Sequence, residues 1–289
     1  MIKLPCQILI LFTAISAVST VSGQDNLPPV KKEDLHLFLL AGQSNMAGRG
    51  TVESQDQKAH PRVYVLTKEK TWKPAVDPLH FDKSVAGVGL GKTFGEILAE
   101  ANPDVIIGLI PCAVGGSPIE SWKPGGYHSQ TKSHPYDDCL NRVSSVLEQG
   151  TLKAILWHQG ESDSNSLRSP VYRQSLHELI ERFRNKLESA DLPFIVGQMG
   201  QFAERPWDEH RELVDQVHQS LPAEVENTAF VSSDELNHRG DKVHFDSASY
   251  RELGRRYAAA YTELYSPKSK TEPRRLLRRM RSLKLGPKR

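Results

Sequence analysis

Six short apolar runs punctuate this chain, and most of the gaps between them carry a helical pattern. The runs cover residues 35–40, 62–66, 105–111, 152–157, 194–198 and 228–231. Most are continuous rather than alternating. A strand with one wet face alternates apolar with polar, whereas a strand covered on both faces does not. Apolar residues three and four apart recur over residues 90–101, 136–150, 169–190, 207–221 and 248–264. Pro170 stands where a first helical residue would, and Gly150 where a helix C-cap would. Strand–helix alternation along the whole body predicts a three-layer α/β/α domain around a mainly parallel sheet. Ligands of such sheets bind beyond the carboxyl ends of the strands.

The ends of the chain read differently from the body. Lys3 precedes a short apolar stretch at residues 8–18, and the small residues of "STVSG" end at Gly23. This is the pattern of a secretory signal peptide over residues 1–23. The competing reading is an uncleaved anchor, for which the run is short. Residues 24–34 read as a linker, 35–265 as the folded domain and 266–289 as a basic tail. No later segment is apolar for long enough to span a bilayer, so a secreted or periplasmic protein is expected. The tail has ten Lys/Arg and one acid, an excess of +9 in a chain of net charge +2, which leaves −7 for the rest. It is either a solvated tail or a binder of an anionic polymer or surface. The acidic body, with no nucleic-acid-binding motif, gives no sign of sequence-specific nucleic-acid recognition. Cys6 would leave with the leader. Cys112 and Cys139 remain, as one disulfide or as two buried thiols.

Four polar, glycine-rich loops would meet at the carboxyl edge of the sheet: "AGQSNMAG", "PCAVGGSPIESW", "WHQGESDS" and "NHRGDKVHFDSASY". Ser44, directly after the first buried run, is a candidate nucleophile or else an N-cap. A serine hydroxyl needs a base within hydrogen-bond reach. His244 is the best candidate, and Asp241, three residues earlier, could fix its tautomer within one turn. Glu161 competes for that role from another strand end. The backbone N–H groups of Ser44, Gly115 and Gly116 and the side chain of Gln159 are candidate donors to an oxyanion. Ser117 precedes Pro118, which restricts its backbone, and reads as structural. Asn45 could prop the Ser44 loop or meet substrate. Trp122, Tyr127 and Trp72 offer rings for a sugar face or for packing. His128, His134 and His158 lack metal-ligand spacing, so neither a metal nor another cofactor is expected.

In this order, "GQSNM", "PCAVGGSPIESW", "WHQGESD" and "DKVHFDSASYRELGRRYA" resemble the sialate O-acetylesterase domain family, the acetylxylan-esterase branch (carbohydrate esterase family six) of the SGNH hydrolases. The resemblance spans residues 35–265. It implies a flavodoxin-like α/β/α fold and removal of acetyl groups from carbohydrate through an acyl-serine. It implies Ser44 as nucleophile, His244 as its base, and Gly115, Gly116 and Gln159 as oxyanion loops. Glu161 matches the glutamate of the family's "HQGE". Gln43 replaces the aspartate of the wider Gly-Asp-Ser pattern, and Gln159 stands where asparagine is usual. The third member of the triad stays open between Asp241 and Glu161. A non-catalytic carbohydrate-binding protein on the same fold is the alternative. A lipase is disfavoured, because no long apolar lid segment is visible.

Overall fold

The computed structural model describes residues 27–265; the leader and tail read from the sequence lie outside them. All six apolar runs form strands: β1 (Leu35–Gly42), β2 (Val63–Leu66), β4 (Ile106–Pro111), β5 (Thr151–His158), β6 (Phe194–Gly197) and β7 (Thr228–Val231). A seventh, β3 (Trp72–Pro74), pairs antiparallel with β2 at the sheet edge. It escapes notice in the sequence because it has three residues and ends in proline, which an edge strand tolerates. The strand order is β3-β2-β4-β1-β5-β6-β7, and every pairing except β2–β3 is parallel. From β4 onward this is the 2-1-3-4-5 order of a doubly wound sheet, with β2 and β3 added at one edge. Its switch point lies between β1 and β5, where the connections leave in opposite directions.

The runs are continuous because β1 feeds two cores. Leu35, Leu37, Leu39 and Ala41 pack into one apolar cluster, and Phe38 and Leu40 into the other. The first cluster is closed by α3 (Pro135–Ser144), α4 (Tyr172–Lys186) and α5 (Glu209–Glu224). The second is closed by α2 (Gly91–Ala101) and α6 (Ser247–Tyr265). Phe38 meets Phe94 of α2 and Tyr261 of α6 edge-on, at 4.9 and 5.1 Å between ring centres. The fully buried rings of Phe38 and Phe94 each stabilise the fold by about 1.5–3 kcal/mol.

Helix ends differ from the sequence pattern in two places. A 3-10 turn, Ser169–Val171, holds Pro170, and α4 begins only at Tyr172. The helix expected over residues 136–150 ends at Ser144, so Gly150 is not its cap. A Cβ at Gly150 would lie 2.7 Å from the Leu35 carbonyl oxygen, and the glycine serves that close approach to β1 instead. Cys112 and Cys139 are free buried thiols, with Cys112 Sγ 4.0 Å from the Cys139 carbonyl. Among the described residues no helix is long and apolar enough to cross a membrane.

Candidate active site

The switch point ends on glycine. Gly42 is the last residue of β1 paired with β5, opposite His158. It adopts φ +130°, and a Cβ there would fall 2.2 Å from the His158 carbonyl oxygen. Only glycine permits this turn. Gln43 N–H then donates to the same carbonyl at 2.9 Å. The chain enters a single helical turn, α1 (Ser44–Ala47), which Gly48 closes by donating to Ser44 O. Ser44 thus opens a turn, where backbone N–H groups have no intrahelical acceptor.

His244 reaches Ser44 from the loop before α6. Asp241 builds that loop. Its Oδ1 accepts the backbone N–H groups of Val243 (3.0 Å) and His244 (2.8 Å), an Asx-type turn. Its Oδ2 lies 2.7 Å from His244 Nδ1, and His244 Nε2 lies 3.0 Å from Ser44 Oγ. Burial pushes the Asp241 carboxyl up. The hydrogen bonds from His244 and Val243 outweigh it, and the net shift is below the usual carboxylate value. Asp241 therefore stays ionised, which favours a proton on Nδ1 and an accepting Nε2 toward the serine. Arg239 supports the loop: its backbone N–H donates to His244 O, its guanidinium donates to Arg49 O, and the guanidinium also stands 3.8 Å from Asp241 Oδ2.

Glu161 does not touch the histidine. Its Oε1 accepts from Asn45 Nδ2 at 2.5 Å, and its other oxygen has no partner among the described residues. Asn45 is fully buried and fully bonded. Nδ2 also donates to Val243 O at 3.1 Å, and Oδ1 accepts from Tyr250 OH at 2.6 Å. Of the two readings, Asn45 is the prop: it ties the Ser44 turn to the residue beside His244 and has no group left for substrate.

The oxyanion expectation narrows. Gly115 N–H donates to Asp82 Oδ2 at 2.8 Å, and that oxygen also holds the Arg49 guanidinium at 2.7 Å. Gly115 is therefore withdrawn as a donor. Gly116, at φ +86°, keeps its N–H without a protein acceptor among the described residues. Its carbonyl accepts from Ser162 Oγ at 2.9 Å, and Ser162 N–H donates to Gln43 Oε1 at 3.3 Å. The Gly116 turn is thereby fastened to the Ser44 turn. Gln159 points inward. Its amide nitrogen donates to Asp163 and to Ser117 O, while its oxygen accepts from Tyr172 OH at 2.8 Å. Buried Asp163 and Tyr172 dictate this orientation, and Gln159 braces two loops instead of facing an oxyanion. Burial pushes the Asp163 carboxyl up to about 6.

The aromatic expectations separate as well. Trp122 is fully buried, donates to Ser117 Oγ at 3.0 Å and stands edge-on to Trp157. Trp122 is therefore a packing residue, not a substrate contact, and Trp72 is equally buried. Tyr127 is 54% exposed, above a cleft of about 650 Å³ that begins at Gly116 and Ser162. His158 is buried with Nδ1 on Tyr257 OH, and burial lowers its pKa to about 4. Among the described residues no group of three His, Cys, Asp or Glu is placed to hold a metal ion. Sequence reasoning missed Arg49, Asp82, Arg239 and Tyr250. Arg49, five residues after Ser44 between two glycines, was the one with a visible signal; Asp82 sits in a loop without period or motif.

Residues 34–263 match the family described as carbohydrate esterase, sialic acid-specific acetylesterase. The chain belongs to this family. A relative within reach of this acetylesterase family, a probable carbohydrate esterase of Arabidopsis thaliana, is 29% identical over 263 residues, covering 82% of this chain and 92% of its own. The X-ray structure of that Arabidopsis protein superposes with a TM-score of 0.71 at 28% identity, covering 80% of this chain and 99% of the other. NanS shares the fold at a TM-score of 0.68 and 18% identity, over 82% of this chain and 99% of its own. A carbohydrate acetylesterase from Xanthomonas citri does so at 0.62 and 20%, over 80% of this chain and 56% of its own. The chain thus shares the α/β/α fold of these structures, and the candidate site lies at its switch point.

Proposed function

We propose that this chain is an exported serine esterase that removes acetyl groups from carbohydrate through an acyl-serine intermediate. The observation that carries the reading is the hydrogen-bonded line from Asp241 Oδ2 through His244 to Ser44 Oγ, at 2.7 and 3.0 Å. Asp241 holds the Nδ1 proton, and Nε2 takes the Ser44 proton as Oγ attacks the acetyl carbonyl carbon. The negative charge that develops on the carbonyl oxygen is met by the N–H groups of Ser44 and Gly116, the two candidate donors without a protein acceptor among the described residues. The imidazolium returns its proton to the departing sugar oxygen. Water, deprotonated by the same Nε2, then attacks the acetyl-serine; the bond to Oγ breaks, Nε2 returns the proton to Ser44 Oγ, and acetate leaves. Export rests on the leader pattern at residues 1–23.

Acetate release from acetylated glycans, compared between the native protein and a folded Ser44→Ala variant, tests the mechanism. Release from the native protein alone is expected. Undiminished release from Ser44→Ala would overturn it. Failure of a serine-directed fluorophosphonate to label the native protein would favour the non-catalytic binding alternative.

A further inference from the structure

Beside the Ser44 turn lies a cleft whose chemistry does not suit an acyl chain. It opens at Gly116 and Ser162, the two residues that fasten the neighbouring loops to Gln43. Its volume, about 650 Å³, falls within the range of small-ligand sites. Charged walls come from Arg168 and from Lys123 paired with Glu120 at 3.0 Å, and His128 leans on the Gly116 carbonyl. The aromatic ring in this lining is Tyr127, 54% exposed, while Trp122, in the same connection, is completely buried.

Tyr127 is exposed but not loose. Gly125 N–H donates to Asp137 Oδ2 at 2.9 Å, and Gly126 N–H donates to Lys123 O at 2.8 Å. A Cβ on Gly126 would lie 2.5 Å from Ser121 O, so this turn fits only glycine. The Tyr127 ring leans on His134 at 5.2 Å between ring centres, and His134 Nδ1 is itself 3.0 Å from the Gly126 carbonyl. On the far side, His128 and Ser133 exchange backbone hydrogen bonds. A ring held in this way loses little freedom when a ligand covers it.

We propose that this cleft holds the sugar rings of the substrate and that Tyr127 is the surface on which a pyranose face stacks. The inference rests on the esterase reading and specifies where its leaving group sits. A pyranose has an apolar C–H face and a rim of hydroxyls. The face matches the Tyr127 ring, and the rim matches the donors of Arg168, Lys123 and Gln130 and the Glu120 carboxylate as acceptor. The acetyl group needs only the small space at Ser44, whereas the sugar extends past Gly116 into the cleft. Tyr127 is thus a specificity-determining residue, apart from the groups that move protons.

Tyr127→Ala and Tyr127→Phe, compared on 4-nitrophenyl acetate and on an acetylated xylo-oligosaccharide or O-acetylated sialic acid, test this. Tyr127→Ala is expected to raise KM for the sugar ester roughly tenfold. Its kcat/KM on 4-nitrophenyl acetate should stay at the native value, and Tyr127→Phe should behave as native on both. An unchanged sugar KM in Tyr127→Ala overturns the proposal, as does an equal loss on both substrates, which would mark a structural role. If the native protein hydrolyses neither substrate, the esterase reading fails first. Calorimetric binding of the deacetylated sugars then still tests the cleft: weaker binding by Tyr127→Ala supports it, and equal or absent binding overturns it.

Discussion

Replacing Asp241 with Asn removes one charge and leaves the turn its full set of heavy atoms. The amide oxygen can take the Oδ1 position and keep the N–H groups of Val243 and His244. The NH₂ group then occupies the Oδ2 position, 2.7 Å from His244 Nδ1, and can only donate to it. That arrangement selects an imidazole protonated on Nε2, which cannot accept the Ser44 proton. Turning the amide over would restore the competent tautomer but set NH₂ against two backbone N–H groups. Forfeiting two bonds of about 1 kcal/mol each leaves the competent form at roughly 3%. The imidazolium formed during attack also loses its carboxylate partner. Together these effects should lower kcat by about 10³- to 10⁴-fold. Glu161→Gln keeps an oxygen for Asn45 and should cost about tenfold or less. The assay is kcat on 4-nitrophenyl acetate, with far-UV circular dichroism melts to establish folding. A folded Asp241→Asn within tenfold of native, or a larger loss in Glu161→Gln, would refute the reasoning and return Glu161 to the histidine.

Gln159→Leu should act on stability before chemistry: it strips a donor from buried Asp163 and an acceptor from Tyr172, at about 1–3 kcal/mol in urea unfolding. Its kcat should fall less than tenfold, where loss of an oxyanion donor would give about 10²–10³. Burial, reinforced by nearby Asp56, pushes the Asp77 carboxyl up to about 8. The charged form is thus penalised in the folded state, so stability present below the ordinary value of 3.8 is lost as pH rises through about 8. Asp77→Asn should flatten that decline, so that its melting temperature gains on native between pH 5 and 8.5 in scanning calorimetry; parallel curves would contradict it.

What could be read in the sequence followed from burial and chain direction. Six strands were visible because residues such as Phe38 and Leu39 face opposite cores, so neither position tolerates a polar side chain. The Ser44 turn was visible because a buried strand rarely ends in glycine and three polar residues without reason. The Asp241–His244 contact was visible because three residues of chain can close it. Side-chain direction was not visible. Gln159 looked like a donor to the site, but Asp163, four residues on, and Tyr172, on a helix, turn it inward. Trp122 looked available for sugar, and its burial beside Trp157 depends on tertiary packing. The Arg49–Asp82 pair joins a motif to a featureless loop, and no local pattern connects residues 33 apart.

The hydroxyl of Ser44 and the imidazole that contacts it are 200 residues apart in the chain, and Asn45 reaches 198 residues to Val243. Neither contact exists until the last strand–helix unit has docked, and such distant closures form slowly. A chain still being synthesised, or one cut short before α6, has a serine with no base. During refolding from denaturant, recovery of turnover should lag behind recovery of helix content. The proposed activity is therefore a clock for the completion of folding, and the unfinished polypeptide stays chemically silent.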